Sequence, residues 1–328
     1  AGDVLEAVRF WAREFHVDGI RLVGYAPLKL LGADPYLRRR KLLAAGWDGA
    51  DGGNERHLAE CGEGFMLEMR GFLKGDEGKL DSAAFCIRHN PADTAVVNYM
   101  ADVNGFTLMD MVSYNGKHNE ANGEGNQDGT DYNQSWNCGA EGATRKKKVL
   151  ALRKKQLRNA LLMLFLSQGA PMLLSGDEFG QTKKGNNNSY CQDNDISWLN
   201  WGLLNSNSSI HEFVKHVIQF RKEHSVFHME KEPALMDYRS VGLPDVSYHG
   251  LKTWCPMFDR FLRQMGILYC GKYGKKPDGR EDDYFYVAFN MHWEPHEFAL
   301  PNLPKDYKWH TAFNTDEDQV NGMYPRGG

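Results

Sequence analysis

Apolar residues recur at helical spacing near the start of the chain, where Val4, Leu5, Val8, Trp11, Ala12 and Phe15 share one face between charged positions. Val17-Asp18-Gly19 ends this predicted helix, and Ile20 to Tyr25 follows as a short apolar strand. After a helix-like piece at Tyr36 to Arg40, the pattern repeats: strands at Lys41 to Ala45 and near residue 58, then a helix over Gly64 to Lys74 with Phe65, Met69 and Phe72 on one side. Ala95 to Ala101 reads as the next strand and Lys147 to Ser167 as the strongest helix. Met172 to Ser175 is a further buried strand, and Ile210 to Glu223 an amphipathic helix. Short apolar strands alternating with helices predict a parallel sheet built from βα units. From about Met229 the character changes to short, aromatic, β-rich segments at Tyr284 to Asn290, Glu297 to Leu300 and Lys308 to Phe313, which predict a small antiparallel β-sandwich. Two domains follow from this shift, 1–228 and 229–328.

Between the strand at 95 and the helix at 147 lies a long polar loop dense in Asn, Gly, His and Glu. A loop of that length in a compact domain usually carries function.

Composition narrows the classes. With 41% hydrophobic and 25% charged residues the chain is ordinary globular material, and a net charge of -4 gives no reason to expect nucleic acid or an anionic membrane as partner. Six cysteines, Cys61, Cys86, Cys138, Cys191, Cys255 and Cys270, are scattered without metal-ligand spacing, so neither metal nor cofactor is expected. They read as free thiols of a reducing compartment, and with no apolar run near the ~20 residues of a membrane span the expected location is the cytoplasm.

The words GFTLMDMVSYNGKHNEANGEGN (105–126), SWNCGAEG (135–142), PMLLSGDEFGQTKKGNNNSYCQDNDISWLNW (171–201) and YVAFNMHWEPHEFALPNLP (286–304) resemble isoamylase-type glycogen and starch debranching enzymes of glycoside hydrolase family 13. The resemblance covers essentially the whole chain and implies the carboxyl-terminal portion of a (β/α)8 TIM barrel, about strands four to eight, followed by the β domain. A closed barrel needs eight units, and only about five are legible; on this resemblance the first three lie upstream of Ala1.

Family members cleave α-1,6 branches of glycogen or starch by the retaining mechanism, which uses two carboxyl groups about 5 Å apart, with a third that favours the transition state. The resemblance puts the nucleophile at Val23, inside GIRLVGYA, and the acid/base at Ala45, inside KLLAAGWD. The family's His-Asp pair before GFTL becomes Val103-Asn104. No catalytic carboxylate is intact at these positions. The expectation is therefore an inactive α-glucan-binding protein, or a partner subunit of an active debranching enzyme. The alternative is an active hydrolase with displaced groups, for which Asp18, Asp48, Glu60 and Asp102 are the nearby carboxylates.

The remaining candidates each have a plainer reading. Arg21 contacts the nucleophile in the family; here it serves either a buried carboxylate or a sugar hydroxyl. Trp47 is either a glucose-stacking ring or core. Asp48, Asp177, Glu178, Asn186, Asn187 and Asn188 either bind glucosyl hydroxyls, as does Asn104, or order their own loops. His118 and Glu124 resemble an acid/base pair, yet the same word accompanies the usual triad in active relatives, which implies a structural role.

Overall fold

The computed structural model describes residues 2–48, 57–317 and 321–324. Five short strands form one parallel sheet in chain order: β1 (Gly19–Leu22), β2 (Lys41–Ala44), β3 (Leu58–Glu60), β4 (Ala95–Tyr99) and β5 (Ala170–Met172). The register sets Leu22 opposite Ala44, Ala44 opposite Glu60 and Glu60 opposite Val96, so the carboxyl ends of β1 to β3 finish level with one another. The expected alternation of strand and helix is present: α1 (Gly2–Glu14) and α2 (Leu28–Gly32) flank β1, while α3 (Gly64–Lys74) and α4 (Leu80–Arg88) connect β3 to β4. The short α5 (Leu108–Met111) opens the loop after β4, and α6 (Lys147–Phe165) leads into β5. The single-turn α7 (Leu203–Ser206) and α8 (Ser208–Glu223) complete this part.

Alternation within the strands gives the sheet two buried faces. Leu22, Leu42, Ala44 and Leu58 pack with Val8 and Ala12 of α1 and Leu28 and Leu31 of α2. The opposite face carries Leu43, Val97, Tyr99 and Met172, packed with Cys61 and Met66. A third and larger cluster joins α3, α4, α6 and α8 to the carboxyl-terminal sheet through Phe72, Leu161, Phe213, Ile267 and Phe289. At this junction α3 ends on Gly75 with φ 83°, where an added Cβ would meet Met291 O at 2.7 Å; Arg263 Nε donates to Gly75 O at 2.6 Å. Only glycine permits that approach.

The carboxyl-terminal part differs from expectation in detail. Its strands are β6 (Val246–His249), β7 (Gln264–Tyr269) and β8 (Phe285–Asn290), antiparallel in that order. β8 coincides with the predicted segment. Glu297 to Leu300 and Lys308 to Phe313 form no ladder strand, although Phe313 makes an isolated bridge to Met323. Pro301 and Pro304 lie between them, and proline donates nothing to a ladder. Among the described residues there is one three-stranded sheet in this part and no second sheet to make a sandwich.

Candidate functional site at the carboxyl end of the parallel sheet

Val23 and Ala45 follow immediately on the paired residues Leu22 and Ala44. They therefore leave adjacent strands at one level, about 5 Å apart by strand spacing. Val23 is 94% exposed and Ala45 is exposed; beyond the end of β4, Val103 and Asn104 are exposed as well. All four positions sit at the strand ends, and none is part of the core.

What lies beneath them is ionic. Arg21 Nη1 and Nη2 donate to Asp102 Oδ1 and Oδ2 at 3.2 and 2.9 Å. This contact spans from β1 to the end of β4, which a flat sheet would hold about 14 Å apart. The bidentate geometry fits a sheet curved toward this face. The hydrogen bond to Asp102 raises the Arg21 pKa above its already high ordinary value. Asp102 Oδ1 also accepts from Val103 N at 2.7 Å, so both of its oxygens are committed.

Two further carboxylates, Asp48 and Glu178, are engaged too. Asp48 Oδ2 accepts from Ala26 N at 2.8 Å, and main-chain bonds from Asp48 N to Ala26 O and from Leu28 N to Asp48 O staple the loops after β1 and β2. Trp47 packs against the α1–β1 cluster, and its buried Nε1 has no hydrogen-bond partner among the described residues. Glu178 Oε2 accepts from Gly176 N within its own turn.

The loops after β4 and β5 are bolted together by the polar side chains expected to face sugar. Asn186 and Asn187 are 1% and 2% exposed. Asn186 Nδ2 donates to Asn122 Oδ1, Asn187 Nδ2 to Asn133 Oδ1, and Asn188 Nδ2 to Asp128 Oδ2. Asn119 Nδ2 reaches Asn187 Oδ1, and Gly105 N donates to Asn187 O. Buried Asp110 accepts from Thr182 Oγ1 and from Lys183 N. His118 and Glu124 do not pair: His118 Nε2 is 3.1 Å from Glu141 Oε1, and Glu124 accepts from Tyr190 Oη at 2.5 Å. Lys183, which sequence reasoning did not single out, donates from Nζ to Val103 O at 3.4 Å; burial lowers its pKa.

His224, Asp282 and Asp283 are near enough to one another to hold a cation, but they lie where α8 meets the carboxyl-terminal sheet. His224 Nδ1 and Asp282 Oδ1 are 2.6 Å apart, and Asp283 pairs with Lys276 at 2.7 Å.

No sequence-family model matches the chain. It is 33% identical to the glycogen operon protein GlgX homologue of Mycobacterium tuberculosis, over 96% of this chain and 48% of that one. It is 31% identical to the chloroplastic isoamylase 1 of Arabidopsis thaliana, over 96% and 44%, and 40% identical to the glycogen debranching enzyme of Pectobacterium carotovorum, over 67% and 37%. The chain belongs to the isoamylase-type debranching family of glycoside hydrolase family 13. It spans about half the length of the curated relatives it matches or less. The fold of this family member is similar to that of a pullulanase from Bacillus acidopullulyticus, with a TM-score of 0.59 at 18% identity over 91% of this chain and 35% of that one. A pullulanase from Paenibacillus barengoltzii, solved with maltohexaose and alpha-cyclodextrin, gives the same score over 95% and 46%.

Asp177 yields a prediction about pH. Its buried carboxyl accepts from Leu108 N at 2.9 Å, and burial pushes its pKa from 3.8 to about 7 despite the nearby Arg70 charge. Between those values the folded protein holds a proton that the unfolded chain has lost. The stability this confers is full below about pH 4 and disappears as pH rises through about 7. An Asp177→Asn variant keeps the acceptor oxygen and removes the titration. It is expected to flatten the fall in Tm between pH 5 and 8, and at pH 8 to gain on the order of 1 to 4 kcal/mol over the unmodified protein. Parallel pH–Tm curves for the two proteins would count against it.

Proposed function

We propose that this chain is the carboxyl-terminal portion of an α-amylase-type barrel, its five parallel strands standing for strands four to eight over 1–228, followed by an antiparallel β domain over 229–328. It acts in α-glucan metabolism by binding glycogen or starch chains, alone or beside an active debranching subunit, without cleaving them. Such a role fits a reducing, cytoplasm-like compartment, since all six cysteines are free. No described helix is long and apolar enough to cross a membrane.

The observation that carries the reading is the chemistry at the strand ends. Retaining hydrolysis needs one ionised and one protonated carboxyl group about 5 Å apart. The adjacent ends of β1 and β2 present Val23 and Ala45, and Asn104 brings an amide where the family uses a carboxylate. Two of the four nearby carboxylates are tied elsewhere, Asp102 to Arg21 and Asp48 to Ala26 N. Binding asks less, because hydroxyl hydrogen bonds and ring stacking need no titrating pair. The test combines reducing-sugar release from amylopectin with retention on an amylopectin matrix. Retention without release is the expected result; release at enzymatic rates, or no retention, overturns the corresponding half.

A further inference from the structure

Four asparagines in the chain stand immediately before glycine: Asn104-Gly105, Asn115-Gly116, Asn122-Gly123 and Asn321-Gly322. This dipeptide is the one most open to spontaneous deamidation, because the glycine amide nitrogen can attack the asparagine side-chain carbonyl with no side chain of its own in the way. Inside a fold the asparagine side chain must also be free to swing onto that nitrogen. Each hydrogen bond that anchors it slows the step.

Three of the four side chains are anchored. Asn115 Oδ1 accepts from Asn137 N at 2.9 Å. Asn122 Nδ2 donates to Asp128 Oδ2 at 2.7 Å and to Asn188 O at 3.0 Å, while its Oδ1 accepts from Asn186 and Gln192. Asn321 Nδ2 donates to Ser209 O at 2.5 Å, and its Oδ1 accepts from Arg158 Nη2 at 2.9 Å. Asn104 is exposed, and its side chain has no hydrogen-bond partner among the described residues.

The glycine N–H groups separate the sites less, since all four donate: Gly105 to Asn187 O at 2.9 Å, Gly116 to Glu141 Oε1 at 3.5 Å, Gly123 to Glu120 O at 3.1 Å and Gly322 to Glu317 O at 2.8 Å. The bond from Gly116 is the loosest, which makes Asn115 the nearest rival. Its surroundings oppose the reaction. Glu141 accepts from both Asn115 N and Gly116 N, and a carboxylate there disfavours the proton loss that makes the nitrogen a nucleophile. Beside Asn104 the neighbouring charge is a cation: Lys183 Nζ donates to Val103 O at 3.4 Å and favours the same proton loss.

We propose that Asn104 is a site of spontaneous deamidation, so that the protein carries first an amide and then a carboxylate at the strand-end position where the family has its third carboxylate. After losing its proton, Gly105 N bonds to Asn104 Cγ; the Cγ–Nδ2 bond breaks, ammonia leaves and a succinimide closes. Water then opens the ring. Attack at Cγ gives aspartate, and attack at the main-chain carbonyl carbon gives isoaspartate, whose main chain runs through Cβ and Cγ. The net change exchanges NH2 for OH, with water as the only co-reactant. Isoaspartate lengthens the main chain immediately before Gly105 N, the donor that ties this loop to Asn187 O. Neither product gives Val23 or Ala45 a carboxyl group, so no hydrolysis follows, and the chemistry is the same whether or not the chain binds glucan.

The experiment incubates the purified full chain in mildly alkaline buffer, folded and in parallel unfolded in guanidinium chloride. Peptide mass spectrometry at intervals reads the mass gained when NH2 becomes OH at each of the four sites. In the folded protein Asn104 is expected to lose its amide about 2- to 10-fold faster than Asn115, the factor that one anchoring hydrogen bond supplies, and faster still than Asn122 and Asn321. Unfolding is expected to bring the four rates together. Asn104→Gln, whose longer side chain closes a ring far more slowly, is expected to abolish the earliest shift in isoelectric focusing. The aged unmodified protein is expected to gain a band at the position of Asn104→Asp. If Asn104 reacts no faster than Asn115 in the folded protein, or keeps its amide while the unfolded chain loses it, the assignment is overturned.

Discussion

Purified full chain incubated with amylopectin or glycogen is expected to release reducing sugar no faster than buffer alone. Loss of a catalytic nucleophile by itself commonly costs ~10⁴ to 10⁶ in rate, and groups that act as a unit are not rescued one at a time. From a typical enzymatic range of ~1 to 10³ per second, the loss of the nucleophile alone leaves at most ~0.1 per second and at the low end ~10⁻⁶ per second. A Val23→Asp, Ala45→Glu, Asn104→Asp variant sharpens the test. Because Leu22 and Ala44 are paired, the first two substitutions set carboxyl groups on adjacent strand ends, near the ~5 Å that a retaining pair requires. Arg21 complicates the restoration, since it already holds Asp102 in a bidentate pair. A second carboxylate beside it would compete for the same guanidinium. Adding Asp102→Ala to the triple variant is therefore expected to give more activity than the triple variant alone. Turnover above ~1 per second by the unmodified chain, indifferent to substitutions at Val23, Ala45 and Asn104, would falsify the non-hydrolysing assignment.

The parallel sheet was legible in the sequence because its strands are short apolar words between polar punctuation. GIRL, KLLA and AVVNY each start and stop near where the structure starts and stops them. Elements whose pattern is diluted were not legible. α4, with the sequence LDSAAFCIR, mixes small and polar residues and earns its place by burying Leu80, Ala83, Ala84 and Ile87. β7 is buried along all six residues, so it lacks the two-residue alternation that announces a strand. Conversely, Glu297 to Leu300 and Lys308 to Phe313 have strand-like composition but no pairing partner, and strand formation is a property of the pair.

The site divides the same way. Val23, Ala45, Val103 and Asn104 came from the resemblance to the debranching family, and each lies beyond the end of its strand. Which side chains remain free there depends on contacts between residues far apart in the chain. Arg21 meets Asp102 across 81 positions and Asn119 meets Asn187 across 68. Neither pairing leaves a trace in composition or spacing. Asn-rich loops look alike whether their amides face a ligand or one another; here the amides of Asn186 and Asn187 are spent on Asn122 and Asn133.

Arg70 is expected to be costly to remove. It lies on α3, 2% exposed, and donates from Nε to Met100 O at 2.7 Å, from Nη1 to Asn133 O at 3.0 Å and from Nη2 to Phe106 O at 3.0 Å. One guanidinium thus fixes three points of the long loop after β4, the segment that carries Val103 and Asn104. Burial brings its pKa down to about 10, which still leaves it charged at neutral pH, beside an Asp177 carboxyl that ionises only as pH rises through about 7. Arg70→Ala leaves three carbonyls without their donors, each costing ~1 to 3 kcal/mol before relaxation, and removes the Asp177 counter-charge. A net loss on the order of 3 to 5 kcal/mol is expected, the range for removing one partner from a buried charged network. Arg70→Lys is expected to recover less than half, since an ammonium on a flexible stem does not reproduce a planar fork aimed at three acceptors. Denaturant unfolding measures the loss, and amide exchange over residues 100–136 locates it: protection there should fall before protection in β7 does. A variant whose unfolding free energy stays within ~0.5 kcal/mol of the unmodified protein, the scatter of an ordinary surface substitution, would show that the loop is held by the asparagine contacts alone.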